Sequence, residues 1–293
     1  MTTIPTPAEA PGAWPRDIKR QLRLPTAALA PAGPVRQLLH HRARWALAVW
    51  LAAAFVAVPS SAEVDLPYKA LADRAGIPRT HRASSRTAAV TRAVDLLVAV
   101  GLCERMHERY RDAQFKLLAL DGTRRPYAMP DFPQALALPG ALCGNGWLGA
   151  LPQAALAVLL IARRESDRQW VRHHPPADEG RFDAGRNWIH DHYGITPTTW
   201  AKGKTILGRY GILTWQNGIQ QEERVRFRSA YTLRLDRLSR PPGAGPLFRM
   251  TKVPRVTRDP ESGRAYRQFT VQWVLEDASA PEPVASGEGV PMA

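Results

Sequence analysis

The strongest indication of the fold of this chain is the sequence NWIHDHYGITPTTWAKGKTILGRYGILTWQ at residues 187–216. Apolar residues with helical spacing precede Gly194, where the first helix is predicted to end. Thr196 then offers an N-cap hydroxyl, and Pro197 takes the first helical position, where its missing N–H costs nothing. The second helix is predicted to end at Gly211, a residue suited to a left-handed C-cap. The pattern predicts two helices joined by a short glycine turn.

A β-hairpin is predicted directly after the second helix. Residues 212–215 form its first strand, and Asn217-Gly218 is a strong hairpin turn signal because both residues tolerate positive φ. The returning strand, residues 225–234, alternates apolar side chains with arginines. Residues 202–240 hold nine basic and three acidic side chains, a net charge of +6. Together these features predict a helix-turn-helix that continues into a basic β-wing.

The upstream half of the chain repeats this order of elements. We predict a buried helix over residues 45–58, a short helix from 64 with Asp65 as a candidate cap, a third helix from Ser84 or Ser85 to Val100, and strands at 102–106 and 115–120 around a polar wing tip. In the downstream half the corresponding first helix is predicted over residues 152–164, and residues 166–184 are predicted to be a polar insertion.

The two halves differ in the spacing of their glycines. Gly76 and Gly101 are 25 residues apart, whereas Gly194 and Gly211 are 17 apart. We assign the eight extra residues to a longer turn within residues 78–85. Arginines in that turn suit contact with a phosphate backbone, and a solvated loop is the equally weighted alternative.

The predicted fold class is α+β: mainly α with small β-wings, in two winged helix-turn-helix domains in tandem. The predicted boundaries are a disordered segment 1–34, a first domain 35–121, a linker 122–150 anchored by Trp147, a second domain 151–240, a basic β-hairpin 241–276 and a disordered tail 277–293.

Composition points to a polyanionic partner. The chain of 293 residues has a net charge of +14 and a pI near 10.5, mostly from arginine, which suits phosphate and guanine contacts. Double-stranded DNA is therefore the expected partner, in a cytoplasmic, nucleoid-associated or plasmid-associated protein. The two cysteines, Cys103 and Cys143, have no CxxC neighbour, which argues against disulfides and zinc fingers. No cofactor or metal site is predicted.

The apolar run 45–58 has a competing interpretation. Arginines before it and small residues after it resemble a secretory signal, which would make the protein secreted or membrane-inserted. The run has only 14 residues, whereas a membrane span needs roughly 20. We therefore interpret it as a buried core helix and expect no membrane partner.

The candidate DNA contacts lie on the third helices and the wings. In the second domain they are Thr198, Thr199, Trp200, Lys202 and Lys204 on the helix, with Arg226 and Arg228 on the wing. In the first domain they are Ser85, Arg86, Thr87 and Arg92 on the helix, with Arg109 and Arg111 at the wing tip. Cations and hydroxyls suit base edges and phosphates, and the Trp200 indole could contact thymine methyl groups, although a core position is the favoured interpretation of this residue.

Catalysis finds little support in the sequence. His190-Asp191-His192 invites comparison with rolling-circle replication nucleases, but those enzymes need a hydrophobic residue between the histidines, on a strand. On a helix, positions two apart point about 200° apart. The chain also lacks a GxxxxGK[ST] phosphate loop and a GxSxG elbow. We predict that the protein is not an enzyme.

Residues 36–240 resemble tandem winged-helix DNA-binding proteins, especially initiators of plasmid replication. The resemblance rests on the pairs Gly76-Ile77, Gly101-Leu102, Gly194-Ile195, Thr196-Pro197 and Gly211-Ile212. It implies binding to repeated DNA elements of a bacterial plasmid or mobile element, with a second copy of the chain or the replication machinery as further partners. Bacterial transcription regulators share the same features and are the alternative.

Overall fold

A computed structural model describes residues 21–41, 44–79, 82–106, 112–128, 130, 134–172, 180–217, 228–258 and 265–275. Its helices are α1 (Pro34–His40), α2 (Ala46–Val56), α3 (Tyr68–Arg74), α4 (Ala83–Ala99), α5 (Ala141–Gly144), α6 (Trp147–Ala150), α7 (Gln153–Arg172), α8 (Arg186–Tyr193) and α9 (Pro197–Arg209). Its strands are β1 (Gln21–Pro25), β2 (Glu63–Pro67), β3 (Cys103–Arg105), β4 (Asp112–Leu117), β5 (Ala135–Pro139), β6 (Arg181–Gly185), β7 (Leu213–Asn217), β8 (Arg228–Leu233), β9 (Phe248–Arg258) and β10 (Ala265–Leu275). The chain thus mixes helices and strands, as an α+β protein does.

Two units of the chain have the same order of elements: helix, strand, helix, helix, strand, strand. The first unit consists of α2, β2, α3, α4, β3 and β4, and the second of α7, β6, α8, α9, β7 and β8. Each unit has a three-stranded antiparallel sheet whose last strand is central, in the orders β2-β4-β3 and β6-β8-β7. The internal repeat therefore includes the topology of the sheets as well as the helices.

The first strand of each sheet was not predicted. The helix expected from residue 64, with Asp65 as its cap, is wrong: Glu63–Pro67 is strand β2, and α3 begins at Tyr68. In β2 a buried Val64 is followed by an exposed Asp65, the alternation typical of a strand with one face on a core. The strand is only five residues long, so this alternation is hard to recognise without its pairing partner β4.

The predicted polar insertion at residues 166–184 is also wrong. Helix α7 continues to Arg172, and Arg181–Gly185 forms β6. Glu165 and Ser166 are buried although they are polar. The pattern of apolar residues therefore does not indicate that the helix continues past residue 164. In β6, Phe182 is buried and stacks on Tyr231 of β8, with ring centroids 5.0 Å apart.

Helix α2 lies at the centre of the core. Every side chain from Ala46 to Phe55 is at most 5% exposed, because α1, α3, α4, α6, α7 and β1 all pack on the helix. The prediction of a core helix buried on most sides is confirmed. Among the described residues, no helix combines the length and apolar character that a membrane crossing requires.

The predicted disorder of residues 1–34 is wrong for residues 21–34. Strand β1 pairs with β5, placing Leu22 opposite Leu138 and Leu24 opposite Leu136, and all four leucines are buried. The expected linker 122–150 supplies β5, α5 and α6 to the core, and its Trp147 is buried, as predicted. These contacts join both units to a single hydrophobic core.

The four glycines that predicted helix ends all have positive φ, between 63° and 74°. The eight extra residues of the first unit are not all in its turn, however. From Gly76 to the start of α4 is seven residues, against three from Gly194 to the start of α9, and α4 has 17 residues against 13 in α9. The turn and the helix therefore each gain four residues.

A two-stranded ribbon of β9 and β10 follows the second unit, in agreement with the predicted hairpin. Its 11 residue pairs run from Phe248↔Leu275 to Arg258↔Ala265. The base of the ribbon packs on α9 and β7: Trp273 meets Trp215 edge to face, with ring centroids 4.7 Å apart. A Cβ at Gly208 would lie 2.1 Å from the Trp273 ring, so this glycine permits the close approach.

Candidate nucleic-acid interface

Helix α9 begins as the sequence predicts. Thr196 is its N-cap and accepts a hydrogen bond from the Thr199 N–H, with N and O 3.1 Å apart, while Pro197 occupies the first turn. The Thr199 hydroxyl also lies 2.9 Å from the Thr196 hydroxyl, and Thr199 is half-buried. Thr199 therefore serves the cap, and Thr198 presents the more accessible hydroxyl of the first turn.

The two faces of α9 differ in composition. Trp200, Gly203 and Leu207 are buried, and Gly203 lies against α7 at its closest approach. The exposed residues are Thr198, Ala201, Lys202 and Thr205. Because no acidic residue occurs in α9, this exposed face is hydroxyl-bearing and positive. This face of α9 stays exposed, because the ribbon of β9 and β10 packs against the other end of the helix.

Trp200 is placed by the structure in the core. It is 3% exposed, its Nε1 donates to the Tyr231 hydroxyl over 3.3 Å, and the two rings meet edge to face. The prediction that Trp200 contacts DNA is wrong, because the indole closes the gap between α9 and the central strand of its sheet. The spacing i, i+3, i+7 to Gly203 and Leu207 is the sequence signal that favours a core residue.

Lys204 is directed toward the sheet of the second unit. Its Nζ lies 4.4 Å from the ring centroid of Trp215 and 5.9 Å from that of Tyr231, in cation–π contact. The predicted groove contact of Lys204 is therefore not supported, and Lys202 is the exposed lysine of α9. Two lysines two positions apart on a helix cannot share a face, which is why their environments differ.

Helix α4 exposes Ser85 and Arg92, while Thr87 is half-buried. Arg92 uses its Nε for the Ala88 carbonyl, 3.1 Å away. Arg82, at the N-cap position, is exposed and belongs to the turn whose arginines were predicted to suit contact with a phosphate backbone. Arg82, Ser84 and Ser85 are accessible polar residues at the start of this helix, and Arg92 is exposed two turns after Ser85.

Arg86 is not available to DNA. Its side chain is buried and forms an ion pair with Asp73 of α3, which Arg79 also contacts at 3.3 Å. Burial alone would raise the pKa of Asp73, but the hydrogen bond and charge of Arg86 hold this pKa below its ordinary value. The prediction for Arg86 is wrong because the arginine joins α4 to α3 inside the first unit.

The predicted wing contacts are only partly within the structure. Arg109, Arg111 and Arg226 lie outside the described residues. Arg228 is the first residue of β8, and its backbone lies opposite Gly185 of β6. Arg228 therefore stands at the end of the central strand, next to the residues that connect β7 and β8.

The histidines of α8 have structural partners. His190 Nδ1 lies 3.1 Å from the Ile195 carbonyl oxygen, and His192 Nδ1 lies 3.0 Å from that of Trp188, on whose ring it stacks. Across the described part of the chain, no group of three or more His, Cys, Asp or Glu side chains is placed to hold a metal ion. The two histidines therefore contact backbone carbonyl groups of α8 and of the turn that follows it.

A buried carboxyl–phenol pair joins α7 to α8. Tyr193 donates its hydroxyl to Glu165, and both residues are buried. Burial raises the pKa of the Glu165 carboxyl, and the Tyr193 hydrogen bond and the guanidinium of Arg168, 3.9 Å away, offset this only in part. Burial, reinforced by the Glu165 carboxylate, also raises the pKa of Tyr193. The folded chain thus holds the Glu165 proton more tightly than the unfolded chain does.

Replacing Glu165 with glutamine should make the stability less dependent on pH. A carboxyl whose pKa is higher in the folded than in the unfolded chain stabilises the fold only at low pH. Its contribution to the free energy of unfolding is lost as the pH rises from the unfolded pKa of about 4.5 through the folded pKa. The amide of the variant cannot ionise, so the free energy of unfolding of Glu165→Gln relative to the original chain should increase from about pH 4.5 upward. Urea unfolding at several pH values measures this difference. Glu104→Gln, at an exposed residue, is the control; equal pH trends for both variants would contradict the assignment.

The candidate surface for a partner is a set of exposed polar residues on α4 and α9, from the start to the middle of each helix. It comprises Arg82, Ser85, Arg92, Thr198, Lys202 and Thr205. Thr205 was not predicted, although it lies one turn after Ala201 on the same helical face. Comparison of the chain with known protein families, with curated proteins and with solved structures finds no match.

Proposed function

We propose that the protein binds specific sequences of double-stranded DNA through two winged-helix units. The observation that carries this proposal is the repeated order helix, strand, helix, helix, strand, strand, with the last strand central in each sheet. This is the arrangement in which a third helix enters a major groove beside a β-wing. In both units the third helix begins with exposed hydroxyl and cationic side chains and has a capped or basic start.

In the second unit, Thr198 and Lys202 would contact base edges. They are four residues apart, so they lie on one face of α9 within its first turns. A lysine ammonium suits the O6 and N7 acceptors of guanine, and a threonine hydroxyl can donate or accept. In the first unit, Ser85 in the first turn of α4 and Arg92 seven residues later are exposed and would contact bases, with Arg82 at the helix start suited to a phosphate.

The shared core favours a tandem reader of fixed geometry. Because both units belong to one hydrophobic core, α4 and α9 keep a set relative position. Such a protein suits directly repeated DNA elements at a fixed spacing. We propose that it acts in the initiation of replication on a bacterial plasmid or mobile element. Binding beside a promoter, as a transcription regulator, is the alternative; protection of repeats within an origin by footprinting favours the first.

Lys202→Ala is the test of base contact. On a duplex selected in vitro from a random pool, this variant should bind about 1–3 kcal/mol more weakly, with little change on a random duplex. Fluorescence anisotropy titrations of both duplexes measure the difference. Lys204→Ala is the matched control, because Lys204 lies on Trp215 and should affect folding stability more than specificity. Equal losses on both duplexes for Lys202→Ala would mean that this lysine only contacts phosphates, contrary to the proposal.

A further inference from the structure

The β9–β10 ribbon has two faces of different chemistry. Its base is fixed by Phe248 and Trp273, which meet Gly211 and Gly208 of the second unit. Arg249 and Val274, directly opposite each other in the register, are exposed at that base. One face of the ribbon therefore anchors it beside α9, and the face that carries Arg249 is turned to solvent at the base.

Register extends the Arg249 face along the ribbon. Positions two apart on a strand share a face, so Thr251, Val253 and Arg255 of β9 have register positions on this face. The register partners of Thr251 and Arg255, Gln272 and Gln268, belong to it from β10. By residue type, these register positions hold arginine, glutamine and threonine together with Val253 and Val274. Arginine, glutamine and threonine are types that contact phosphates and base edges.

The charge of the ribbon is of one sign. Its two strands hold five lysines and arginines and no aspartate or glutamate. Arg249 and Arg255 have register positions on the Arg249 face, and Lys252, Arg258 and Arg267 have positions on the other face. Eleven paired residues span about 36 Å, close to one turn of B-DNA. A two-stranded ribbon fits the major groove, and a ribbon that starts next to α9 would reach the duplex beside the site of that helix.

We propose that the ribbon is a third DNA-contacting element, which lies along the duplex next to the α9 site and binds it through the Arg249 face. This inference rests on the proposed function. It adds a flank to the bound site and a set of phosphate contacts that neither third helix supplies. An alternative role of these cations requires no DNA. Charged side chains on the two open edges of the ribbon would prevent those edges from pairing with strands of other chains.

The test compares two double substitutions with the same change of charge. Arg249→Gln/Arg255→Gln alters the proposed contact face, and Lys252→Gln/Arg267→Gln alters the other face of the register. Hydroxyl-radical footprinting and anisotropy at several salt concentrations are carried out on the in vitro selected duplex with the full chain. Thermal unfolding of each variant verifies that the fold is retained.

We expect the Arg249/Arg255 variant to lose protection at one end of the site, over about half a helical turn or more. Its log–log salt slope should fall by about two, since each phosphate contact contributes about 0.9. The Lys252/Arg267 variant should keep the full footprint. An unchanged footprint and slope in the first variant, or equal losses in both, would overturn the inference. Failure of the original chain to bind any duplex would instead overturn the proposed function.

Discussion

Replacing Leu51 with Asp is expected to lower the free energy of unfolding by about 4 kcal/mol or more. Leu51 is 0% exposed at the middle of α2, where both units meet in one core. The substitution removes a large apolar side chain and buries an ionisable group without a partner, two of the mechanisms that give the largest single-residue effects. The loss should reach the second unit as well as the first, because α2 also packs on α7.

Val58→Asp is the matched control for this prediction. Val58 lies just after the same helix and is 47% exposed, so a carboxylate there stays hydrated. We expect a change within about 0.5 kcal/mol in urea unfolding. Similar stabilities for the two variants, or recovery of the original chain in the membrane fraction of cells, would contradict the assignment of α2 as the central core helix.

Gly203→Leu is expected to destabilise the chain by about 3 kcal/mol and to abolish DNA binding by displacing α9. A Cβ at this position would lie 2.4 Å from the Ala154 carbonyl oxygen and 2.5 Å from a methyl group of Val158, so α9 and α7 would have to separate. Helix propensity alone favours the substitution by about 1 kcal/mol. A loss of stability therefore measures the close packing of the two helices.

Ala201→Leu provides the comparison for Gly203→Leu. Ala201 lies two positions earlier on the exposed face of α9, where a leucine side chain extends into solvent. Urea unfolding should leave its stability within about 0.5 kcal/mol of the original. If Gly203→Leu were equally well tolerated, α9 would not pack closely on α7.

The ends of α3, α4, α8 and α9 and the start of α9 could be predicted from sequence because their signals are local. Thr196, Pro197 and the glycines at the helix ends act within one turn of the residues they affect, and the structure has them as expected. The strands β2 and β6 could not, since each is five residues long and exists only through pairing with the last strand of its unit. The ordered segment after residue 20 depends in the same way on its partner β5.

The candidate site was predictable in its helices and less so in its individual side chains. Periodicity places Thr198 and Lys202 on an exposed face, and the structure agrees. The direction of Lys204 depends on Trp215, and the burial of Arg86 depends on Asp73 of α3. Tertiary packing brings both partners near. The residues that neighbour Lys204 and Arg86 in the sequence do not indicate these contacts.

Binding of the chain to duplex DNA through lysines and arginines should depend steeply on salt concentration. The affinity of the intact chain for its selected duplex should be measured by anisotropy between about 50 and 200 mM salt. If lysines and arginines of both units and the ribbon neutralise phosphates, the log–log slope should be about −4 or steeper, since each contact adds about −0.9. A nearly flat dependence, or no binding to duplex DNA at low salt, would contradict DNA binding by the two units.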